Sequence, residues 1–240
     1  MTNHPLSIYL EDCLARRKTG ATTPETSLYN PLETLLNAVG SKLKKPRVRC
    51  FMNLKDQDAG LPDGGLFTPD QFEKGNEETP QGQTPSRGVI ECKPPKKDVV
   101  TITDTEQVSK YWDRYNQVLV TNYREFALIG RDGDKPVRHE FYRLAASEKE
   151  FWNLASHPES AVKAHGDRLL DFLQRCLLRP APLTEPKDDG SRLHQRRVNT
   201  NPAEVPTFGE SARSASSHRR ACFHGFAFYE DPSGPMDSRS

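Results

Sequence analysis

The sequence predicts an α/β fold in which helices flank a central β-sheet. Apolar residues at helical spacing occur on both sides of a middle region that contains short runs of β-type composition. The predicted order is a helical region, three strands, a helix, three more strands and further helices. A chain of 240 residues suits one domain with extensions or two small domains, and one core is the simpler count.

The composition limits the class of protein. Hydrophobic residues make up 34% of the chain and charged residues 28%, so part of the chain is expected to remain unpacked. The net charge is only +1, so a DNA-binding surface has to be a local patch. The five cysteines include no CxxC pair and the seven histidines no HxxxH pair, which favours reduced thiols over a zinc site or a disulfide framework.

The amino terminus gives no sign of export. It has no basic segment leading into an apolar run, and no stretch of the chain reaches transmembrane length. We therefore expect a cytoplasmic protein without a membrane partner.

Two helices are predicted before the first strand. Pro5 to Arg17 carries apolar residues at helical spacing and belongs to an N-terminal helical extension, residues 1–25. The second helix is predicted to have Asn30 as its N-cap, Pro31 at its first position and Gly40 as its terminator.

A basic run leads into the first predicted strand, Val48 to Met52. Five cations fall within eight residues, and these are Lys42, Lys44, Lys45, Arg47 and Arg49. Such a run suits contacts with several phosphates, and a solvated face explains it equally well.

The stretch from Leu61 to Pro94 carries the candidate site. Alternate side chains of a strand point to the same face, so Glu91 and Lys93 are expected to project together. Asp63, which follows a proline and precedes two glycines, can supply a second carboxylate from the neighbouring strand. A buried acid and base require a partner ion, a metal or a charged substrate, so these residues predict a functional cluster.

A polar segment, Thr68 to Arg87, separates the two halves of this stretch. Its content of Pro, Gly, Gln, Thr and Glu predicts an exposed loop, either an element of specificity or a flexible insertion. The strand Val89 to Lys93 follows and ends at two prolines, after which Lys96 and Lys97 add positive charge beside the site.

The remaining elements complete the sheet and its helical cover. A helix is predicted from Thr103 to Tyr115, with Thr103 and Glu106 as a capping box, and Gln107 and Tyr111 lie one turn apart on it. The strands and helices predicted after it are Val118 to Thr121, Phe126 to Gly130, Arg138 to Leu144, a helix capped by Ser147, and a helix from Ala161 to Leu178.

Four motifs in this order carry a family resemblance. They are Leu61-Pro-Asp-Gly-Gly-Leu-Phe, Gly88-Val-Ile-Glu-Cys-Lys-Pro, Gln107-Val-Ser-Lys-Tyr and Val118-Leu-Val-Thr-Asn. The first two resemble the half-motifs of the PD-(D/E)xK nuclease superfamily. From about Thr26 to about Lys187 the chain resembles the amino-terminal nuclease domain of single-polypeptide (type ISP and IIG-like) restriction-modification enzymes. The resemblance implies a restriction-endonuclease-like α/β core with a central mixed sheet in residues 1–182.

The same resemblance implies a function and a set of site residues. It implies a Mg²⁺-dependent endonuclease that hydrolyses phosphodiester bonds in DNA, with Mn²⁺ as a substitute cation. The metal ligands would be Asp63, Glu91 and the backbone carbonyl of Cys92. Lys93 would position the attacking water, and Gln107 and Tyr111 would lie near the active centre. The DNA-binding residues would be Lys42, Lys44, Lys45, Lys96 and Lys97.

Glu33 has two interpretations. Its place in the second predicted helix suits the carboxylate of a capping box. In the related nucleases a glutamate of this helix leans toward the metal, so the resemblance implies a catalytic role for the same residue.

The end of the chain differs from the rest. Residues 183–240 are predicted to be a linker and a disordered or frameshifted tail, because from Asp188 onward the sequence lacks lysine and any periodicity. The resemblance also implies a methyltransferase subunit or domain encoded separately.

Two other functions stay open at this point. One is a catalytically inert DNA-binding remnant of a restriction-modification enzyme. The other is a generic α/β interaction module in which Glu91 and Lys93 form a surface pair. A methyltransferase or a nucleotide-driven motor is disfavoured, because the chain has neither a glycine-rich S-adenosylmethionine loop nor a GxxxxGK[ST] motif.

Overall fold

The computed structural model describes residues 4–19, 26–54, 61–72 and 84–180. Within these residues the chain forms six α-helices and six strands. The helices are α1 (Pro5–Thr19), α2 (Tyr29–Gly40), α3 (Val99–Thr103), α4 (Glu106–Tyr115), α5 (Glu148–Ser156) and α6 (Pro158–Leu178). The strands are β1 (Arg49–Met52), β2 (Gly64–Phe67), β3 (Val89–Cys92), β4 (Val118–Thr121), β5 (Glu125–Asp132) and β6 (Lys135–Arg143).

The six strands form one mixed sheet in the order β1-β2-β3-β4-β5-β6. The strands β3 and β4 are parallel, and every other neighbouring pair is antiparallel. This arrangement confirms the predicted α/β class with a central mixed sheet and flanking helices. It places β3 in the interior of the sheet, with both of its neighbours hydrogen-bonded to it.

The two faces of the sheet are covered by different helices. On one face, apolar residues of α1, α2, α5 and α6 form a core with alternate sheet residues such as Ile90 and Cys92. On the other face, α3 and α4 pack on Val89, Val118 and Val120. Successive side chains of β3 therefore point into two different cores, because the side chains of a strand alternate between the two faces of the sheet.

Two glycines allow the close approach of backbones around β2 and β3. At Gly64 a Cβ atom would lie 2.9 Å from the carbonyl oxygen of Phe51 in β1. Gly88 has φ +90°, a conformation that L-residues rarely adopt, and enters β3 against the backbone of Gln117. The glycines that flank the predicted motifs thus serve strand packing.

The start of α2 differs from the prediction. A 3₁₀ turn, Thr26–Leu28, runs directly into the helix, which begins at Tyr29 with Leu28 in the cap position and no side-chain cap. Asn30 is therefore inside the helix and is not its N-cap. Glu33 consequently does not occupy the third helical position and has no capping-box role.

The predicted helix from Thr103 to Tyr115 is two helices. The hydroxyl of Thr103 donates to the carbonyl of Val100 in the last turn of α3, so Thr103 closes one helix and does not cap the next. Thr105 caps α4 by accepting a hydrogen bond from the amide of Val108. The predicted box of Thr103 and Glu106 is therefore wrong, but Gln107 still lies in the first turn of α4.

The two ends of the polar segment between β2 and β3 contain buried residues and are hydrogen-bonded to each other. Thr68 and Pro85 are buried, against the prediction of an exposed loop. The side chain of Gln71 joins the two ends, because its oxygen accepts from the amides of Thr68 and Ser86. The middle of the segment at 73–83 and the tail at 183–240 lie outside the described residues.

None of the helices in the described ranges combines the length and the apolar character needed to cross a lipid bilayer.

Candidate active site

Asp63 lies at the entrance of β2 and bridges it to β3. Its Oδ2 accepts a hydrogen bond of 2.6 Å from the backbone N–H of Cys92. Its Oδ1 accepts a hydrogen bond of 2.5 Å from the hydroxyl of Tyr29, the first residue of α2. The carboxylate is half-buried and lies beside the residue that follows Glu91 in the chain.

Glu91 and Lys93 form an ion pair at the end of β3. The Nζ of Lys93 lies 2.5 Å from Oε1 of Glu91, and the lysine side chain is 28% exposed. Glu91 is fully buried, so the two residues are not a surface pair. Burial of a carboxylate is costly without a partner charge, and the ammonium of Lys93 provides that charge.

Gln107 connects this pair to α4. Its Nε2 donates to Oε2 of Glu91 at 3.4 Å and to the hydroxyl of Tyr111 at 3.1 Å. Burial raises the pKa of Tyr111, and the negative charges of Glu91 and Asp63 raise it further. The structure thus brings Asp63, Glu91, Gln107 and Tyr111 to one end of the central strands.

The backbone of β3 contributes an oxygen to the same place. Gly64 pairs with Ile90, and continuing this antiparallel register by two residues sets Pro62 opposite Cys92. A proline has no N–H and cannot donate to the Cys92 carbonyl. The ladder ends here, because the Cys92 amide bonds to the side chain of Asp63. Pro62 therefore leaves the carbonyl of Cys92 available to another partner.

Glu33 lies against β1. Burial raises the pKa of its carboxyl group, while a hydrogen bond from the Met52 amide and the charge of Arg49 oppose that rise. The contact between α2 and the Asp63 carboxylate is made by Tyr29, one turn earlier. Sequence reasoning did not identify Tyr29, because a tyrosine at a helix start is also typical of core packing.

The lysines predicted to bind DNA are exposed. This holds for Lys42, Lys44, Lys45, Lys96 and Lys97, whereas Lys93 is held against Glu91. Arg49 closes the same basic run on β1, and its guanidinium lies 5.2 Å from the ring centre of Phe51 and 5.6 Å from that of Phe72. The run therefore ends in a cation that lies near two aromatic rings.

Arg124 is a second residue that sequence reasoning missed. It is 5% exposed and donates to the backbone carbonyls of Pro95, Lys97, Ala145 and Ala146. The first two carbonyls belong to the segment that leaves β3 just after the ion pair. The signal in the sequence is the tetrapeptide Asn122-Tyr-Arg-Glu, which places two charged residues between two apolar strands.

The charge of Arg124 is balanced inside the protein. Glu125 is 1% exposed and lies 3.0 Å from Arg124, and it also accepts from Arg143 at 2.7 Å and from Asn122 at 2.9 Å. Asn122 donates in addition to the carbonyl of Lys97. These contacts hold the exit of β3 in place from the β4–β5 connection.

The group has the donor chemistry of a site for a hard cation. Two carboxylates and a backbone carbonyl are oxygen ligands of the kind that Mg²⁺ prefers. No cluster of three or more His, Cys, Asp or Glu side chains suited to a metal exists in the described part of the chain. A cation at this place would therefore depend on the carbonyl of Cys92 and on water beside the two acids.

Comparison with known proteins adds little. No family model matches the chain. A search of curated proteins gives no match. Among solved structures, the cryo-EM structure of a DrdV–DNA complex is similar at a TM-score of 0.38 and 15% sequence identity, over 61% of this chain and 94% of that chain. A likeness at this level supports no inference about the function of the present chain.

Proposed function

We propose that the chain is a Mg²⁺-dependent endonuclease that hydrolyses DNA, with the half-motifs of the PD-(D/E)xK superfamily as its active site. The observation that carries the proposal is the hydrogen bond from Cys92 to Asp63. It brings the carboxylate of β2 to the backbone of β3 at the position where Glu91 and Lys93 meet.

The cation would be held by Asp63, Glu91 and the carbonyl of Cys92. Bound there, it would lower the pKa of a coordinated water and neutralise charge on the scissile phosphate. Asp63 is partly buried and Glu91 is fully buried, so a cation would meet the carboxylate of Asp63 at the more exposed side of the site.

Lys93 serves as the cationic group of the reaction. Its side chain is partly exposed and hydrogen-bonded to Glu91, and it would turn toward the scissile phosphate when DNA is bound. A fixed ammonium at that position stabilises the negative charge that develops during attack by water. It also orients the attacking water by donating a hydrogen bond to it.

Gln107 fixes the orientation of Glu91. An amide that donates to one carboxylate oxygen leaves the second oxygen to the ammonium of Lys93, as the contacts with Oε2 and Oε1 indicate. Tyr111 in turn contacts the Gln107 amide. Through these contacts α4 holds the carboxylate of Glu91 in its orientation.

The basic run before β1 provides the DNA contacts. Exposed lysines and arginines neutralise phosphates without reading sequence. Neighbouring strands lie about 4.8 Å apart, so β1 is about 10 Å from β3 and within reach of the same duplex. Lys96 and Lys97 would contact the backbone on the other side of the site.

The experiment is cleavage of supercoiled plasmid DNA by the purified protein. We expect cleavage with Mg²⁺, no cleavage with a chelator, and loss of cleavage in Asp63→Ala and Glu91→Ala. The matched control is Asp113→Ala, which removes an exposed carboxylate from α4 and should leave cleavage unchanged. Cleavage that persists in both site variants would contradict the proposal.

A further inference from the structure

Helix α2 presents two polar side chains to the sheet from one face. Tyr29 and Glu33 are four residues apart, which places them on neighbouring turns of the same side. Tyr29 donates to Asp63, at the entrance of β2, and Glu33 accepts from the amide of Met52 in β1. The resemblance in sequence implied Glu33 as the contribution of this helix to the site, whereas the side chain in contact with a proposed metal ligand is Tyr29.

We infer that Tyr29 is a positioning residue, whose hydroxyl fixes the Asp63 carboxylate in the orientation needed to bind a divalent cation. The inference rests on the proposed function, because it takes Asp63 as a ligand. It assigns no proton transfer to Tyr29 and no contact with DNA.

The hydrogen bonds of Asp63 support this role. One oxygen accepts from Tyr29 and the other from the Cys92 amide, so rotation of the carboxylate about its last side-chain bond is blocked at both ends. That torsion is otherwise broad and poorly defined. An ionised carboxylate has about four acceptor positions, so two remain for a cation.

A simpler explanation is that Tyr29 satisfies a polar group in the interior. The burial of the two residues speaks against it, because Tyr29 is 6% exposed while Asp63 is only partly buried. Water could solvate the carboxylate without help from a hydroxyl. Water does not hold the carboxylate in one orientation. A hydrogen bond from the protein to a metal-ligating side chain does, and such bonds change metal affinity by about 10- to 100-fold.

The test measures Mn²⁺ binding to the protein without DNA, by electron paramagnetic resonance of the free ion. The variant Tyr29→Phe removes one oxygen and leaves the ring. The matched control is Tyr9→Phe in α1, which removes a hydroxyl from a tyrosine that is 1% exposed and donates at 2.7 Å to the carbonyl of Tyr123. Thermal unfolding in a chelator reports the stability of both variants.

We expect Tyr29→Phe to bind Mn²⁺ at least about tenfold more weakly than the wild type, and Tyr9→Phe to bind as the wild type does, although both lose a tyrosine hydrogen bond. Equal binding by wild type and Tyr29→Phe would overturn the inference and leave the proposed function in place. Equal weakening in both variants would overturn it as well, because the cause would then be general stability. Absence of Mn²⁺ binding by the wild type would overturn the metal site itself and the role of Tyr29 with it.

Discussion

Asp63 and Cys92 are 29 residues apart in the chain and are joined by a hydrogen bond of 2.6 Å between a carboxylate oxygen and a backbone N–H. The bond replaces the strand ladder at the point where Pro62 interrupts it. It therefore fixes both the position of an acid and the end of the pairing between β2 and β3.

Lys93 stabilises the fold as well as the proposed chemistry. The variant Lys93→Ala leaves the buried carboxylate of Glu91 without its ammonium, and because Lys93 is 28% exposed we expect a loss of about 1–3 kcal/mol, below the cost for a fully buried pair. Addition of Mg²⁺ should raise the unfolding temperature of this variant more than that of the wild type, since the cation no longer competes with the lysine. Differential scanning calorimetry with and without Mg²⁺ measures both effects. An equal rise in unfolding temperature for the two proteins would contradict competition between the cation and Lys93 for the carboxylate of Glu91.

Arg124 holds the segment that follows β3 through its planar guanidinium group, whose several N–H donors a lysine cannot replace. We expect Arg124→Lys to destabilise the protein by about 2–4 kcal/mol, because several buried carbonyls and Glu125 lose their donor. Urea unfolding provides the measurement. The control is Arg175→Lys, which alters an exposed pair with Glu140 and should change stability little. Equal losses of stability in the two variants would contradict a larger contribution from the buried arginine.

Arg49 is expected to contact a DNA phosphate. Its guanidinium lies near the ring of Phe51 on β1 and the ring of Phe72, which follows the 3₁₀ turn after β2. With Ca²⁺ in place of Mg²⁺, fluorescence anisotropy of labelled DNA should show weaker binding for Arg49→Gln and a salt dependence reduced by about 0.9 in its logarithmic slope.

The far edge of the sheet offers the control for that measurement. Arg138 on β6 is also exposed and lies 5.1 Å from the ring centre of Phe141. The strand β6 is three strands from β3, about 14 Å away on the side opposite to β1. Arg138→Gln should leave the affinity and the slope unchanged, and an equal loss in both variants would indicate attraction by overall charge alone.

Glu33 makes stability depend on pH in a defined direction. Burial raises the pKa of its carboxyl group above the usual 4.5, so the folded protein binds this proton more tightly than the unfolded chain does. The resulting stability is present below pH 4.5 and is lost as the pH rises through the raised value. In Glu33→Gln this loss is absent, so the stability of the variant relative to the wild type should increase from pH 4 to pH 7. Urea unfolding across that range checks the sign, and a constant difference would contradict the burial effect.

Sequence patterns predicted the elements of the fold well where one periodicity dominates. In β3 the alternation of apolar and charged residues predicted that Glu91 and Lys93 share a face, and the ion pair lies on one face of the strand. The strand Val118–Thr121 has the predicted bounds. The starts of α2 and α4 were wrong, because several neighbouring residues can cap a helix and a turn before the helix decides between them.

The contacts that complete the candidate site could not be predicted from local patterns. Tyr29 meets Asp63 across 34 residues, and Arg124 meets Pro95 across 29. Such contacts depend on how α2 packs on the sheet and on the shape of the β4–β5 connection. Motif order placed the two acids near each other, and only the three-dimensional structure identifies the side chains that hold them.

In the proposed function, Asp63, Glu91 and Lys93 form one hydrolytic site. The most direct measurement is the rate of Mg²⁺-dependent plasmid cleavage by the wild type and by Lys93→Ala, both shown to be folded under the assay conditions. The proposed function predicts cleavage by the wild type and a loss of at least about 100-fold in the variant, the scale expected for removal of one charge-stabilising donor. Cleavage by Lys93→Ala at the wild-type rate would contradict the account.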